Sequence, residues 1–74
     1  AIFLYELKLQ YFKVSLRSKE IVDVSQIAGV FGGGGHVRAA GFNMRGTPYD
    51  VINNITPYVE EQLEEYHEAN ERNS

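Results

Sequence analysis

Along residues 12–17, FKVSLR, apolar and polar side chains alternate strictly: Phe12, Val14 and Leu16 against Lys13, Ser15 and Arg17. A period of two belongs to a strand with one buried face. If Phe12, Val14 and Leu16 face a core, Ser15 and Arg17 share the opposite face. The preceding run, IFLYELKL over residues 2–9, is rich in aromatic and branched residues and also reads as a strand. The link between them, KLQY, holds no Gly, Pro, Asn or Asp, which is poor hairpin chemistry. Three readings stay open there: an unusual turn, one long strand running through, or a loop missing between the runs.

The period then changes. Residues 21–23, IVD, read as a short strand leading into a helix, with Asp23 as N-cap and Gln26 as its reciprocal capping-box partner. Ile27, Val30 and Phe31 supply an apolar stripe, Gly29 costs about 1 kcal/mol relative to alanine, and the glycines after Phe31 stop the helix. HVRAA, residues 36–40, is predicted to start a second short helix, and GFNMR, residues 41–45, to return as a strand. Thr47, Pro48 and Asp50 form a strong helix start, with a cap, a proline at the first position and an acid three residues after the cap. Val51, Ile55, Val59 and Leu63 continue the stripe every four residues past Pro57, which favours one kinked helix over two. The tail over residues 67–74 is expected to fray.

This order predicts an α/β (α+β) fold, a small mixed β-sheet covered by helices, with the long helix on one face. Seventy-four residues allow a single domain, 1–74, whose core supplies roughly 3–5 kcal/mol. No internal repeat or low-complexity linker divides it. The chain opens in strand-like sequence without a methionine, which reads as a piece of a longer protein. Cysteine is absent, which excludes disulfides and thiolate metal sites and fits a reducing compartment; a cytoplasmic location is expected. No apolar run approaches the roughly 20 residues of a membrane span, so no membrane partner is expected.

The net charge of −3 conceals two unlike halves. Residues 1–46 carry six Lys or Arg against three acids, a net of +3, whereas residues 47–74 carry one against seven, a net of −6. The basic half contains four consecutive glycines, Gly32–Gly35, followed by His36. Such a run needs a tight turn or a close approach to the backbone. It is neither a Walker A sequence, since no Lys-Ser/Thr follows, nor a dinucleotide fingerprint. Two readings stand beside each other: a turn alone, or an anion cradle in which free N–H groups at the next helix start meet phosphate. His36 is either a capping or buried residue or a group that bonds phosphate or stacks on a base. Phe31 and Tyr49 are candidate stacking aromatics, with a core role the commoner fate of each.

Together, KVSLRS and FGGGGHVRAAGF resemble the C-terminal DHH-associated domain of the DHH phosphoesterases. Gly33-Gly34-Gly35-His36-Val37-Arg38-Ala39-Ala40-Gly41 follows that family's G-G-G-H-x-x-A-[AS]-G signature, and Val14-Ser15-Leu16-Arg17-Ser18 follows its VS-x-RS strand motif. The resemblance covers roughly residues 2–66 and is nearest to the bacterial nanoRNase (oligoribonuclease) and phosphoadenosine-phosphate phosphatase group. It implies that Arg17, Ser15 and Ser18 hold a terminal phosphate, that the Gly33, Gly34 and Gly35 backbone contacts phosphate or ribose, and that His36 touches the nucleotide. Ala39, Ala40 and Gly41 would let the second helix pack close to the sheet.

By the same resemblance, cleavage belongs to a separate N-terminal DHH catalytic domain whose Asp and His ligands hold two divalent metals, typically manganese. This chain, with Asp23 and Asp50 both placed as helix caps or first-turn acids, is expected to hold no catalytic residue, metal or cofactor. The implied partners are short single-stranded RNA or DNA, or nucleotide phosphates. The alternatives are a structural module that forms a homodimer through its first strand, or the substrate domain of an exopolyphosphatase-like enzyme, a cyclic-dinucleotide phosphodiesterase or a single-strand exonuclease.

Overall fold

The computed structural model describes residues 1–19 and 21–73. Its elements are β1 (Ile2–Lys8), β2 (Tyr11–Arg17), α1 (Val24–Val30), β3 (Gly34–His36), β4 (Ala39–Arg45) and α2 (Pro48–Asn73). The strands form one sheet in the order β1-β2-β4-β3. The α+β arrangement is the one the sequence predicts; within it, every pairing is antiparallel rather than mixed.

The alternation in β2 sets the layers. Phe12, Val14 and Leu16 are buried, and Val14 pairs with the buried Phe42 of β4. Val24, Ile27 and Ala28 of α1, with Val51 and Ile55 of α2, close over them to complete the core. Both helices therefore lie on one face, and among the described residues the other face of the sheet carries no helix.

The caps explain where the helices begin and end. Asp23 is the N-cap of α1, its carboxylate accepting from the amides of Ser25 and Gln26. The return bond does not come from Gln26. Gln62 of α2 accepts from the Asp23 amide at 2.7 Å and donates to the Asp23 carbonyl at 2.9 Å, tying the start of α1 to the long helix. At its other end, Gly32 takes φ 84°. Its amide bonds the Gly29 carbonyl and the Gly33 amide bonds that of Ala28, so the last carbonyls of α1 are satisfied in a Schellman motif.

In α2, Thr47 and Asp50 exchange side-chain and backbone bonds as a capping box. Pro57 lies within a continuous helix, as the stripe predicts. Residues 67–73, the stretch expected to fray, are helical here.

The first hairpin resolves to the unusual turn. Leu9 and Gln10 join β1 to β2, with Gln10 at φ 57° and a register shift between Glu6 and Lys8. The Gln10 carbonyl accepts from the Gly46 amide at 2.8 Å, which fixes this non-glycine residue in a left-handed conformation.

The second correction is larger. HVRAA is not a helix: His36 ends β3, Val37 and Arg38 form a turn, and Ala39 begins β4. Residues 39–45 pair with β2 on one side, and their first residues with β3 on the other, an alternative that outweighs the helix propensity of two alanines. The turn is pinned through the Val37 carbonyl, bonded by the Val24 amide, and the Arg38 carbonyl, bonded by the Ser18 amide. Ala39, Ala40 and Gly41 are thus sheet residues and pack no second helix.

Candidate functional site: the helix-free face of the sheet

Because paired residues in a sheet point the same way, the registers define what the helix-free face presents. Arg17, Ala39 and His36 form one row across β2, β4 and β3. Phe3, Ser15, Gly41 and Gly34 form the next, followed by Tyr5, Lys13 and Asn43. Tyr11 then pairs with Arg45, whose guanidinium lies 5.3 Å from the Tyr11 ring centre.

Arg17 and His36 are both exposed, with the small Ala39 between them. Neighbouring strands lie about 4.8 Å apart, so these two backbones stand roughly 10 Å apart and leave room for an anion. A depression of about 290 Å³ at this place is lined by Lys13, Ser15, Arg17, Gly34, Ala39 and Gly41 among others.

The electrostatics of this face are one-sided. Lys8, Lys13, Arg17 and Arg45 belong to it by register, and no Asp or Glu of the strands does. Glu6, the one strand carboxylate, pairs with Phe12 and so belongs to the core side. The acids Glu60, Glu61, Glu64, Glu65 and Glu68 are exposed on α2, in the opposite layer. The basic and acidic halves of the chain thus become two faces.

The four glycines have different reasons. Gly32 is required by the left-handed end of α1. A Cβ on Gly33 would stand 2.1 Å from the Gly41 carbonyl oxygen, and one on Gly35, at φ 146°, would stand 2.6 Å from the Ala39 carbonyl oxygen. Gly34 alone faces the depression, and a Cβ there would meet nothing within 4 Å. Backbone conformation demands Gly32, and close packing demands Gly33 and Gly35. The fourth leaves the backbone bare where a ligand would approach, and β3 is a sheet edge whose outer side has no strand partner among the described residues.

The sequence-derived residues therefore divide. Ser15, Arg17, Gly34 and His36 come together on the helix-free face. Gly33 and Gly35 shape the hairpin but do not project onto that face. Ser18 lies beyond the end of β2, on the rim of a largely apolar cavity of about 680 Å³ at the sheet end, which Arg17 also lines. The helix N-terminus invoked as an anion cradle does not exist at His36. Phe31 is partly buried against the core, stacked on Phe42 at 4.9 Å and edge-on to Tyr58 at 5.5 Å, whereas Tyr49 is exposed on α2 rather than buried. Sequence reasoning missed Lys8, Asn43 and Arg45, and the β1 rings Phe3 and Tyr5. Their place on the face depends on strand register, which only the assembled sheet reveals.

The two aspartates are occupied structurally. The Ser25 hydroxyl, then the Gln26 and Ser25 amides, hold the Asp23 carboxyl below its usual range. The Thr47 amide and hydroxyl do the same for Asp50. Among the described residues, no group of three or more His, Cys, Asp or Glu could hold a metal ion. These residues do not fit a two-metal centre. No described helix is long and apolar enough to cross a membrane.

An antiparallel sheet with helices on one side and a cationic surface without strand carboxylates on the other defines an α+β module. The family follows from direct comparison. The DHHA1 domain model matches residues 1–65, and the chain belongs to that family, the DHH-associated module of the DHH phosphoesterases. No curated protein matches the chain.

Proposed function

We propose that the helix-free face binds the phosphate end of a nucleotide or short single-stranded oligonucleotide and presents it to the metal-bearing DHH domain of a parent phosphoesterase. The observation that carries this reading is the convergence of Arg17, Ser15, Gly34 and His36 on adjacent rows of one surface without a strand carboxylate. Arg17 supplies the rigid fork of donors that matches phosphate oxygens. Ser15 donates its hydroxyl from the next row, Gly34 admits the ligand to the main chain, and His36 closes the far side. Lys13 adds positive potential without a fixed geometry.

Of the parent types, the nanoRNase-like group is favoured, acting in the cytoplasm on very short RNAs. The GGGH signature and the arginine strand occur together in this chain, and each contributes to the same surface. Manganese and the hydrolytic step belong to the catalytic domain; this module's share is binding and orientation.

The test is calorimetric titration of the chain with a 5′-phosphorylated diadenylate, repeated with Arg17→Ala. Arg17 is exposed and outside the core, so the far-UV circular dichroism of the variant is expected to match that of the parent chain. Losing a charge-assisted bond costs about 1.5–3 kcal/mol, roughly a 10- to 150-fold weaker affinity. Undiminished binding by Arg17→Ala would remove Arg17 from the site and with it this reading.

A further inference from the structure

We infer that Phe3 and Tyr5 of β1 form a nucleobase-stacking platform beside the phosphate site. The face then takes a single-stranded oligonucleotide in preference to an inorganic phosphate chain. This inference rests on the phosphate-binding reading above and adds to it the residues that take the bases.

The two rings are exposed on the helix-free face, Phe3 by 49% and Tyr5 by 63%, although the core-side residues of the same strand, such as Leu4, pack against the core. A single exposed aromatic is ordinary. These two occupy consecutive same-face positions, about 6.8 Å apart along the strand. Phe3 pairs with Ser15 and Tyr5 with Lys13, so each ring stands one strand away from a phosphate-binding group. Phe3, Tyr5, Ser15 and Arg17 together line a depression of about 400 Å³, contiguous through Ser15 and Arg17 with the one that reaches Gly34.

Flat π-faces beside cations are the combination that holds single strands: the cations follow the backbone and the rings take the bases. An inorganic phosphate chain has no planar group to offer those rings and would draw only on the cations. The charge of the surface agrees, since no strand carboxylate on it opposes the approach of a polyanion. With a phosphate held between Arg17 and Gly34, the rings lie on the far side of β2, where the base of the same or the next nucleotide falls.

The experiment is a calorimetric titration of the 74-residue chain with 5′-phosphorylated diadenylate and, separately, with tripolyphosphate. It is run on the parent chain, on the double variant Phe3→Leu/Tyr5→Leu and on Arg17→Ala. Leucine keeps the apolar cover of the strand and removes only the flat ring, and circular dichroism verifies the fold. The double variant is expected to bind diadenylate more weakly by about 5- to 150-fold for each base stack lost, with tripolyphosphate affinity unchanged. NMR of the parent chain is expected to show the ring protons of Tyr5 shifted by diadenylate and not by tripolyphosphate.

Unchanged diadenylate affinity in the double variant, or an equal loss for both ligands, overturns the platform. Retained binding of both ligands by Arg17→Ala, with diadenylate still lost by the ring variant, overturns the phosphate reading and leaves the rings as the site. Binding of neither ligand by the parent chain overturns both, and leaves the rings as an apolar surface covered by a protein partner.

Discussion

Replacing Gly33 and Gly34 by alanine, one at a time, separates what the fold requires of the glycine run from what a ligand requires. The two positions are adjacent and chemically identical, yet their surroundings differ completely. At Gly33 the added methyl would sit 2.1 Å from the Gly41 carbonyl oxygen and 2.6 Å from the Phe42 Cβ. Both belong to the middle of β4, which is held by β2 on its other side, so neither moves without shifting the core around Phe42.

Inserting a carbon into such a place costs about 1–3 kcal/mol, against a total of roughly 3–5 kcal/mol for a domain of this size. At about 4–8 °C per kcal/mol, Gly33→Ala should melt several to 20 °C below the parent chain or fail to fold. At Gly34 the methyl meets nothing within 4 Å and the backbone is not in the left-handed region. Gly34→Ala should therefore be neutral or gain about 0.4–1 kcal/mol by restricting the unfolded chain. It should nonetheless bind a nucleotide phosphate less well, because the new methyl projects into the ligand's space.

Urea unfolding followed by circular dichroism measures both changes, and the denaturant slope shows whether the unfolded states are comparable. Equal stability of the two variants would refute the assignment of Gly33 to packing. A destabilised Gly34→Ala would refute the claim that its neighbourhood is open.

Two other consequences concern the caps. Gln62→Ala removes both bonds to the Asp23 backbone; at about 0.5–1.5 kcal/mol each, melting should fall by roughly 4–20 °C, and a change below a degree would show that the α1–α2 tie carries no stability. Asp23 and Asp50 both have folded pKa values lowered from 3.8, so their contribution is complete above that value and is lost as pH falls through the depressed range. Thermal melts of the parent chain should therefore decline on acidification below about pH 4, and Asp23→Asn/Asp50→Asn should flatten that decline; an unaltered profile in the double variant would assign the acid sensitivity elsewhere.

How much of this was readable beforehand depends on the range of the interactions. The strand period of residues 12–17, the Asp23 cap, the Thr47–Asp50 box and the stripe of α2 are set by neighbours within a few residues, and each is found in the structure. The opposite-face placement of Ser15 and Arg17 follows from that same period. Gln62 as the partner of Asp23 lies 39 residues away, and no local pattern reports it. The Leu9–Gln10 turn was opaque for a related reason. Its left-handed residue is stabilised by Gly46, a partner from the far end of β4, rather than by its own chemistry.

HVRAA forms a turn and the start of a strand where its alanines predict a helix. Alanines after a glycine run satisfy helix propensity, but small residues also suit a strand that must lie close to others on both sides. The added Cβ distances show which cause operates: a Cβ on Gly33, Gly35 or Gly41 would stand within 3 Å of a strand's backbone oxygen. Small side chains here mark a tightly paired hairpin, and the candidate anion site moves with it, from an expected helix end to the surface of a sheet. That surface draws its cations from three strands: Lys8 from β1, Lys13 and Arg17 from β2, and Arg45 from β4, which is distant from the first two along the chain. Only the register brings them together, and the same register sets Phe3 and Tyr5 beside them. A charge count along the chain already separated a basic half from an acidic one. The antiparallel sheet turns that separation into two opposed faces, and so gives a net-negative domain a surface fit for a polyanion.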